Sequence, residues 1–348
     1  MNRQEVIALC VAAAKNQASA NFTATDIQDA ARNALVNYIG CENMELTGRT
    51  LREHRNDLFA IIEEVVDNVV PQKMTDILGQ YAEIKSFGRN DQVKFKVSTL
   101  GGNRIKMAIV PGARGGIYRA KRLDNNDMYL DTHVETIGYM ITLEELLAGS
   151  KNLSDIVSLI AEGLVEKVWI EVVKALRAAY ASVPAKNKAT ATGDSIDLAG
   201  IDKIIRTIGA YGKPVILGFS SLIDQICNQV AFQGATPNLP GADLDDIRNM
   251  GYVGIYKGTP IIKLPNYLVD ESNTQWVFKE TDIFVLPSDQ RPIKVAFQGD
   301  SYTSEVEQPH GGKEWHLHKI MGVGILFYNA IGIYRQTAAT GLDADGLY

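Results

Sequence analysis

The sequence has few of the residues on which disulfide frameworks, metal sites and thiol chemistry depend. It contains 3 cysteines and 5 histidines among 348 residues, and Cys10, Cys41 and Cys227 are widely separated. An odd number of separated cysteines forms neither a disulfide framework nor a Cys-x-x-Cys metal site. We therefore expect a reducing compartment, with Cys10 and Cys227 as core residues on the apolar faces of helices.

Long apolar runs are also missing. No stretch of about 18 apolar residues occurs, so no segment is expected to span a membrane. The apolar patch at 6–14 is rich in alanine, follows Arg3 and Glu5, and is not followed by a recognisable cleavage site. This pattern argues against a signal peptide.

Sequence motifs for catalysis and nucleotide binding are absent as well. There is no G-x-x-x-x-G-K-[ST] phosphate loop, and the glycines at 112–116 lack the lysine, the hydroxyl residue and the helix that such a loop needs. No G-x-S-x-G motif occurs, and Ser220 and Ser221 follow a predicted strand where they are expected to cap a helix. We therefore assign no catalytic residue and no cofactor.

Three histidines near the C-terminus are the remaining candidates for a metal site. His316 and His318 are two residues apart on a predicted strand and so share a face, with His310 nearby. No carboxylate or cysteine at ligand spacing supports zinc binding. Ordinary strand histidines are the favoured interpretation, and no metal is assigned.

The charge balance also restricts the possible partners. Lysine and arginine number 35 against 41 acidic residues, which gives a net charge of −6. Because binding to phosphates requires clustered cations, this balance argues against a general nucleic-acid-binding surface. With 46% hydrophobic and 22% charged residues, the composition is that of an ordinary soluble globular protein.

The strongest positive pattern is an amphipathic helix predicted over 154–180. Its apolar residues recur every three or four positions in two adjacent rows, which predicts a wide buried stripe. Ser154 is placed to cap the first turn, and the helix would be roughly 40 Å long. The residues expected at the centre of the stripe are Ile160, Leu164, Val168, Trp169 and Val172.

Three further helices are predicted near the N-terminus. The first covers about 3–15, the second begins at the capping pattern of Thr25 and stops at Gly40, and the third begins at Thr50 and ends before Pro71. Their apolar faces are narrow. We therefore expect this segment to be an arm that packs on something other than a core of its own.

Between 81 and 139 the sequence changes to an extended pattern. QVKFKV at 92–97 and RIKMAIV at 104–110 alternate polar and apolar residues around the turn Gly101-Gly102-Asn103, which predicts a hairpin, and GIYRA at 116–120 is a further extended stretch. An acidic stretch follows at 124–131. A two-stranded hairpin is poorly stable alone, so we expect it to lie on a neighbouring chain, its basic face against an acidic surface. The basic residues offered for this contact are Lys94, Arg104, Lys106, Arg114, Arg119, Lys121 and Arg122.

The second half of the chain is predicted to be mixed helix and strand. A polar linker or mobile loop is expected at 184–194, then a helix at 198–210, a strand at 214–219 and a helix at 220–230. Short strands follow at 252–256, 261–264, 275–279 and 283–286, with a hairpin turn at 256–260. The region 293–335 is again strand-like, and 336–348 is a small polar tail.

This order of elements resembles the Hong Kong 97-type major capsid protein of tailed bacteriophages. The resemblance covers roughly 45–336 and is carried by PGARGGIYRAKRLDNNDMYLDTHVETIGYMITLEELLAG, by the helix after it, and by the later phrases VILGFSSLIDQICNQV, YVGIYKGTPIIKLPNY, TDIFVLPSD and HKIMGVGILFYNAIGIYR. It is a resemblance of order and style rather than of one invariant motif. It implies an α+β fold of the Hong Kong 97 type and a structural protein that is not an enzyme.

The resemblance also implies a division of the chain into regions. It gives an N-terminal helical arm at 1–75, an extended loop at 85–133, a peripheral domain at 134–195 and 291–336 with a spine helix at 154–180, an axial domain at 196–290, and a C-terminal tail at 337–348. It further implies pentamers and hexamers that form an icosahedral shell around double-stranded DNA, which is held without sequence specificity. A separate scaffolding protein, a portal and a decoration protein are implied partners, with the virion as the location and the bacterial host cytoplasm as the place of assembly.

Two other functions stay open at this point. The same fold serves encapsulin-like bacterial compartments, which load enzymes instead of DNA. An α/β enzyme with 196–290 as its substrate domain is the other alternative, although it would need a convergent set of catalytic residues that the sequence does not present.

Overall fold

The computed structural model describes residues 2–14, 24–38, 53–79, 81–98, 125–140, 153–192, 195–231, 254–268, 272, 276–289, 291–307, 313–326 and 328–337. The helices are α1 (Arg3–Ala14), α2 (Ala24–Tyr38), α3 (Arg55–Leu78), α4 (Leu153–Ala178), α5 (Leu198–Gly209) and α6 (Ser220–Ala231). The strands are β1 (Ala82–Phe87), β2 (Lys94–Ser98), β3 (Asn125–Tyr129), β4 (His133–Met140), β5 (Lys188–Thr192), β6 (Pro214–Gly218), β7 (Ile255–Tyr256), β8 (Thr259–Lys263), β9 (Asp282–Pro287), β10 (Ile293–Glu307), β11 (Lys313–Ile325) and β12 (Gly332–Thr337).

The strands form two sheets and one two-stranded ribbon. The first sheet has the order β1-β10-β11-β4, the second has the order β5-β12-β9-β6-β8-β7, and β2 pairs with β3 alone. In the first sheet β1 runs parallel to β10, and the other pairs are antiparallel. The mixture of helices and antiparallel and parallel strands agrees with the predicted α+β class.

Helix α4 lies at the centre of the largest core. The five side chains predicted for the centre of its stripe (Ile160, Leu164, Val168, Trp169 and Val172) are at most 4% exposed, and they share one cluster with α3 and the four-stranded sheet. The Trp169 ring lies 6.5 Å from the ring of Tyr81, which directly precedes β1. The helix therefore contributes to the packing of elements from distant parts of the sequence.

The N-terminal helices belong to the same core. Val6, Ile7 and Cys10 of α1 and Leu35 of α2 are buried in one cluster with α3 and α4. Burial raises the pKa of the Cys10 thiol to about 11. In the described residues, the helices therefore pack on α4 as well as on each other.

Helix α3 does not end at Pro71, as the sequence predicted, but continues to Leu78. An interior proline removes one helix hydrogen bond and costs about 3 kcal/mol. Beyond it, Met74 and Leu78 are fully buried, and each contributes about 1.5–3 kcal/mol by leaving water. Burial on both sides of the proline therefore outweighs the local cost.

The segment predicted as a polar linker at 184–194 contains strand β5, which pairs parallel with β12. Asn187, just before β5, is 3% exposed, and its side-chain amide donates to the carbonyls of Asn329 at 2.7 Å and Ile331 at 3.0 Å. These bonds attach the segment to the start of β12. A polar sequence thus becomes an ordered edge strand because one buried amide satisfies two backbone carbonyls.

The six-stranded sheet is covered on both faces. Phe284 and Ile333 pack into the core that contains α4, whereas Ile283, Val285 and Tyr334 pack into a second core with α5 and α6. Alternate residues of a strand point to opposite faces, so these two sets mark two buried faces. Gly332 belongs to this arrangement, because a Cβ atom there would lie 2.1 Å from Cγ2 of Ile204 in α5.

The predicted hairpin at 256–260 is present as the turn between β7 and β8. Lys257 and Gly258 both have positive φ, 47° and 78°, which is the conformation of a two-residue type I′ turn.

Among the described residues, no helix combines the length and apolar character needed to cross a membrane.

Candidate assembly surfaces

The ribbon of β2 and β3 is the described part of the predicted extended loop. Lys96 lies opposite Asp127 in the register, and Nζ of Lys94 lies 3.9 Å from Oδ2 of Asp127. The sequence predicted β2 to pair with 104–110, which lies outside the described residues. The partner of β2 that the structure describes is instead β3, so the two lysines of β2 lie beside Asp127 of the same chain.

The base of the ribbon is fixed by a small apolar cluster. Phe95 and Val93 are buried with Ala296 of β10 and Leu326 after β11. The Phe95 ring meets the ring of Phe87 edge-on at 5.8 Å. A packed base with charged side chains beyond it is the arrangement expected for a projecting element.

Two glycines of β11 permit the ribbon to lie close to the sheet. A Cβ atom at Gly322 would be 2.5 Å from the carbonyl oxygen of Asp131, and one at Gly324 would be 2.5 Å from Cδ1 of Leu130. Sequence reasoning missed these positions, although glycine inside a strand pattern is the usual signal for a close backbone approach.

Of the residues predicted to contact another subunit, the structure describes Lys94, which is half exposed on β2 with 51% of its side chain accessible. The other six lie outside the described residues. They are Arg104, Lys106, Arg114, Arg119, Lys121 and Arg122.

His316 and His318 of β11 form a short row, with their ring centres 6.4 Å apart. Nδ1 of His318 lies 2.8 Å from the Thr136 hydroxyl, Nε2 lies 2.8 Å from the Ser304 hydroxyl, and the ring stacks on Tyr302 at 4.5 Å. Burial, and after it the neighbouring His316, lowers the pKa of His318. Both ring nitrogens of His318 therefore lie within hydrogen-bond distance of a hydroxyl group.

His310, the third histidine of the metal hypothesis, lies outside the described residues. Within the described part of the chain, no group of three histidine, cysteine, aspartate or glutamate residues is close enough to hold a metal ion.

Apolar side chains surround this histidine row on the outer face of the four-stranded sheet. Val134 is 50% exposed, Tyr302 is 43% exposed and Val306 is 48% exposed. All three lie on the same side as Thr136 and Ser304, which bind His318. This face therefore carries three exposed apolar side chains, one on β4 and two on β10.

A buried ionic group joins α4 to the six-stranded sheet. Asp282 of β9 is 1% exposed, and its carboxylate lies 3.0 Å from Nε of Arg177 and 2.6 Å from Nε of Arg335. Arg177 also donates to the carbonyl of Lys279 and lies 5.1 Å from the centre of the Phe278 ring. Local sequence patterns could not identify this group, because the partners of Arg177 are about a hundred residues away.

The first turn of α6 is not capped by the serines that the sequence suggested. The carbonyl of Phe219 accepts from the amide of Ile223, so Phe219 occupies the cap position, where its side chain cannot accept a hydrogen bond. Glu280 takes this role, since its Oε2 accepts from the Ser221 amide at 2.9 Å. A carboxylate at a helix N-terminus is favourable for the helix dipole.

The chain is similar to one family of known proteins. A family model described as "SPbeta prophage-derived putative capsid protein YonB" matches residues 6–335. A search of the curated proteins finds no significant match.

Several solved structures resemble the chain at low identity. The asymmetric unit of the bacteriophage PhiM1 mature capsid is 11% identical over 74% of this chain and 86% of that chain, with a TM-score of 0.48. The Mycobacterium phage Bobi structure is 13% identical over 75% and 90%, with a TM-score of 0.49. A virus-like particle from Pyrococcus furiosus is 11% identical over 80% and 99%, with a TM-score of 0.46. Since each TM-score is below 0.5, the assignment to a family depends on the match over 6–335.

Proposed function

The chain belongs to the YonB capsid-protein family, and from this membership we propose that it is the major capsid protein of a bacteriophage or prophage and forms an icosahedral shell. The observation that carries the proposal is the family match over residues 6–335 of the 348. The role is structural rather than enzymatic, and the location is the capsid of the virion.

We further propose the finer assignment to the Hong Kong 97 type. Helix α4 corresponds to the spine helix at 154–180, the four-stranded sheet to the peripheral domain, and the six-stranded sheet with α5 and α6 to the axial domain at 196–290. Strand β12 lies within the range proposed for the peripheral domain but pairs with β9 in the six-stranded sheet. We therefore propose that β5 and β12 extend the axial domain beyond its predicted range.

The ribbon of β2 and β3, with residues 99–124 between its strands, is proposed as the extended loop that contacts a neighbouring subunit. Support comes from its packed base at Val93 and Phe95 and from the exposed Lys94 between them. Lys94, Arg104, Lys106, Arg114, Arg119, Lys121 and Arg122 would supply cations to the neighbour.

The partners of the assembly are part of the same proposal. Copies of the chain would form hexamers and pentamers in the host cytoplasm, with a separate scaffolding protein, a portal and a decoration protein, around DNA that they bind without sequence specificity. Stable shells require more than about 2,000 Å² of buried interface, as in obligate oligomers. The exposed apolar face around Tyr302 is a described surface available for such burial.

Electron microscopy of the purified full chain, alone and then with a co-expressed scaffold, tests the proposal. We expect closed shells, or rings and tubes of hexamers, and DNA inside particles from infected or induced cells after nuclease treatment. A single small oligomer under all conditions would contradict the shell. Closed particles that enclose protein instead of DNA would favour the compartment function.

The role of the loop is tested by joining Val97 to Asn126 through Asn-Gly. Because the Leu130 amide donates to the Val93 carbonyl and hydrogen-bonded pairs alternate along the ribbon, Val97 and Asn126 form a hydrogen-bonded pair, which a two-residue type I′ turn can connect. We expect a folded chain that does not form shells. A matched variant keeps 99–124 and replaces its six basic residues (Arg104, Lys106, Arg114, Arg119, Lys121 and Arg122) by glutamine. Normal shells from the shortened variant would refute the loop assignment, and normal shells from the glutamine variant alone would refute the role of the charges.

A further inference from the structure

We propose that the β-bulge of β10 couples helix α3 to the base of the β2–β3 ribbon, so that these two elements and the end of the β10–β11 hairpin change position together. The register between β10 and β11 shifts between Gln298 and Tyr302. We call the contacts made by residues 298–303 the bulge junction. The inference goes beyond the proposed shell function, because it concerns how parts of one subunit are connected.

On one side, two carboxylates of α3 hold the backbone of the bulge. Oδ2 of Asp67 accepts from the Ser301 amide at 3.0 Å, and Oδ1 accepts from the Ser301 hydroxyl at 2.6 Å. One helical turn earlier, Oε1 of Glu63 accepts from the Thr303 amide at 2.6 Å. Residues four apart on a helix share a face, which matches two amides two apart on a strand.

A lysine of the neighbouring strand completes this side of the junction. Lys319 of β11 is 5% exposed, and its Nζ lies 2.5 Å from Oδ1 of Asp67 and 3.1 Å from the carbonyl of Gly299. A buried lysine requires a partner of opposite charge. Asp67 therefore fixes both strands of the hairpin to α3 at the level of the bulge.

On the other side, Gln298 holds the turns at the base of the ribbon. Its Nε2 donates to the carbonyls of Arg89 at 3.2 Å and Asp91 at 3.0 Å, which lie between β1 and β2. Its Oε1 accepts from the Thr132 hydroxyl at 2.6 Å, between β3 and β4. One side chain thus connects both chain segments that lead into and out of the ribbon.

Gly299 connects the two sides of the junction through a closely packed backbone. Its φ of +67° is a conformation that favours glycine, and a Cβ atom there would lie 3.2 Å from Cβ of Arg89. Gln298, which binds the ribbon, and Ser301, which binds α3, are separated by two residues. A displacement of either side must therefore be absorbed by the other or must break these hydrogen bonds.

Hydrogen–deuterium exchange of the unassembled full chain, read at the amides of Ser301 and Thr303 and at those of Asp91 and Leu130, tests the coupling. The variants are Asp67→Asn and Gln298→Ala, with Asp76→Asn and Gln92→Ala as matched controls at exposed positions on α3 and before β2. Coupling predicts that each junction variant speeds exchange at both pairs of amides by at least about fivefold. The controls should change neither pair.

A double variant distinguishes coupling from two independent contacts. If the junction acts as one unit, Asp67→Asn with Gln298→Ala gives about the same exchange as the more damaging single change. The proposal would be overturned if each change speeds amide exchange only on its own side of the junction, or if the effects of the two changes simply add. Glu63→Gln, which weakens one contact to the Thr303 amide, replaces Asp67→Asn if that chain does not fold. Because exchange is read in the unassembled chain, failure to form shells does not affect this test.

Discussion

The two sheets of the molecule differ in how their faces are covered. In the six-stranded sheet, every residue of β9 is buried, with α4 and its core on one side and α5 and α6 on the other. In the four-stranded sheet, the inner face is buried but the outer face exposes Val134, Tyr302 and Val306. A strand that reads as a continuous apolar run needs both faces covered within the chain, whereas an alternating strand leaves one face for water or another molecule. The six-stranded sheet is thus covered within one subunit, whereas the four-stranded sheet leaves an exposed face, which we propose for contacts between subunits.

Truncation of an aromatic side chain to alanine should destabilise the chain much more in the six-stranded sheet than on the outer face of the four-stranded sheet. Phe284→Ala in β9 removes a fully buried ring, and we expect a loss of about 3–5 kcal/mol of unfolding free energy. Tyr302→Ala on the outer face should cost less than about 1 kcal/mol, because that side chain is already 43% exposed. Urea unfolding of both variants measures the difference. Similar losses would show that the outer face is as important for folding as the core.

The free energy of unfolding should also depend on the ion pairs that join α4 to the six-stranded sheet. Asp282→Asn leaves Arg177 and Arg335 without their buried counter-charge, and we expect a loss of about 3–5 kcal/mol. Asp224→Asn is the matched control, since its ion pair with Lys263 lies at the surface and should contribute about 0–1 kcal/mol. Denaturant midpoints that change equally for the two variants would contradict the structural role of Asp282.

A smaller effect is expected where the ribbon lies against the four-stranded sheet. Gly322→Ala places a methyl group against the Asp131 backbone, and we expect a loss of about 1–3 kcal/mol. Gly163→Ala, in the middle of α4 with open space around it, should instead stabilise the chain by about 0.5–1 kcal/mol. Thermal unfolding of the unassembled chain compares the two. Equal tolerance of alanine at both positions would refute the close approach of the ribbon.

The smallest effect should appear at low pH, at the β1 edge of the four-stranded sheet. Burial alone raises the pKa of Glu83, but the hydrogen bonds and charges of Lys294 and Lys85 outweigh it, so the pKa lies below its ordinary value of 4.5. A lowered folded pKa contributes stability that is present above about pH 4.5 and is lost as the pH falls through the folded value. The free-energy difference between the wild type and Glu83→Gln should therefore shrink from pH 6 to about pH 3. A difference that stays constant over this range would exclude Glu83 as the titrating group.

The features that the sequence predicted well are those with long local patterns. Helix α4 extends over 26 residues, close to its predicted bounds, because its apolar residues repeat over seven turns. The turn at Lys257-Gly258 was also predictable, since its chemistry is contained in the turn residues themselves. Both depend on neighbours in the sequence.

The features that the sequence did not predict depend on distant partners. Local spacing assigned β2 a partner across a glycine turn, but its described partner begins at Asn125. The polar sequence at 184–194 predicts a linker, because the stability of β5 comes from pairing with the distant β12. The serines at the start of α6 predict a local cap, because Glu280, which binds the Ser221 amide, is remote in sequence. In each case the deciding group lies tens of residues or more from the segment that it orders.

The parallel pairing of β1 with β10 has a consequence for synthesis of the chain. Glu83 and Lys294, which bond across this pair, are 211 residues apart in the sequence. At about 5–20 residues per second, a ribosome needs roughly 10–40 s to make the intervening chain. During that time β1 cannot pair with β10, and the bulge of β10 that Asp67 binds has not yet been synthesised. The outer face of the four-stranded sheet is therefore complete only after β11 has been translated, so shorter nascent chains do not display this proposed contact surface.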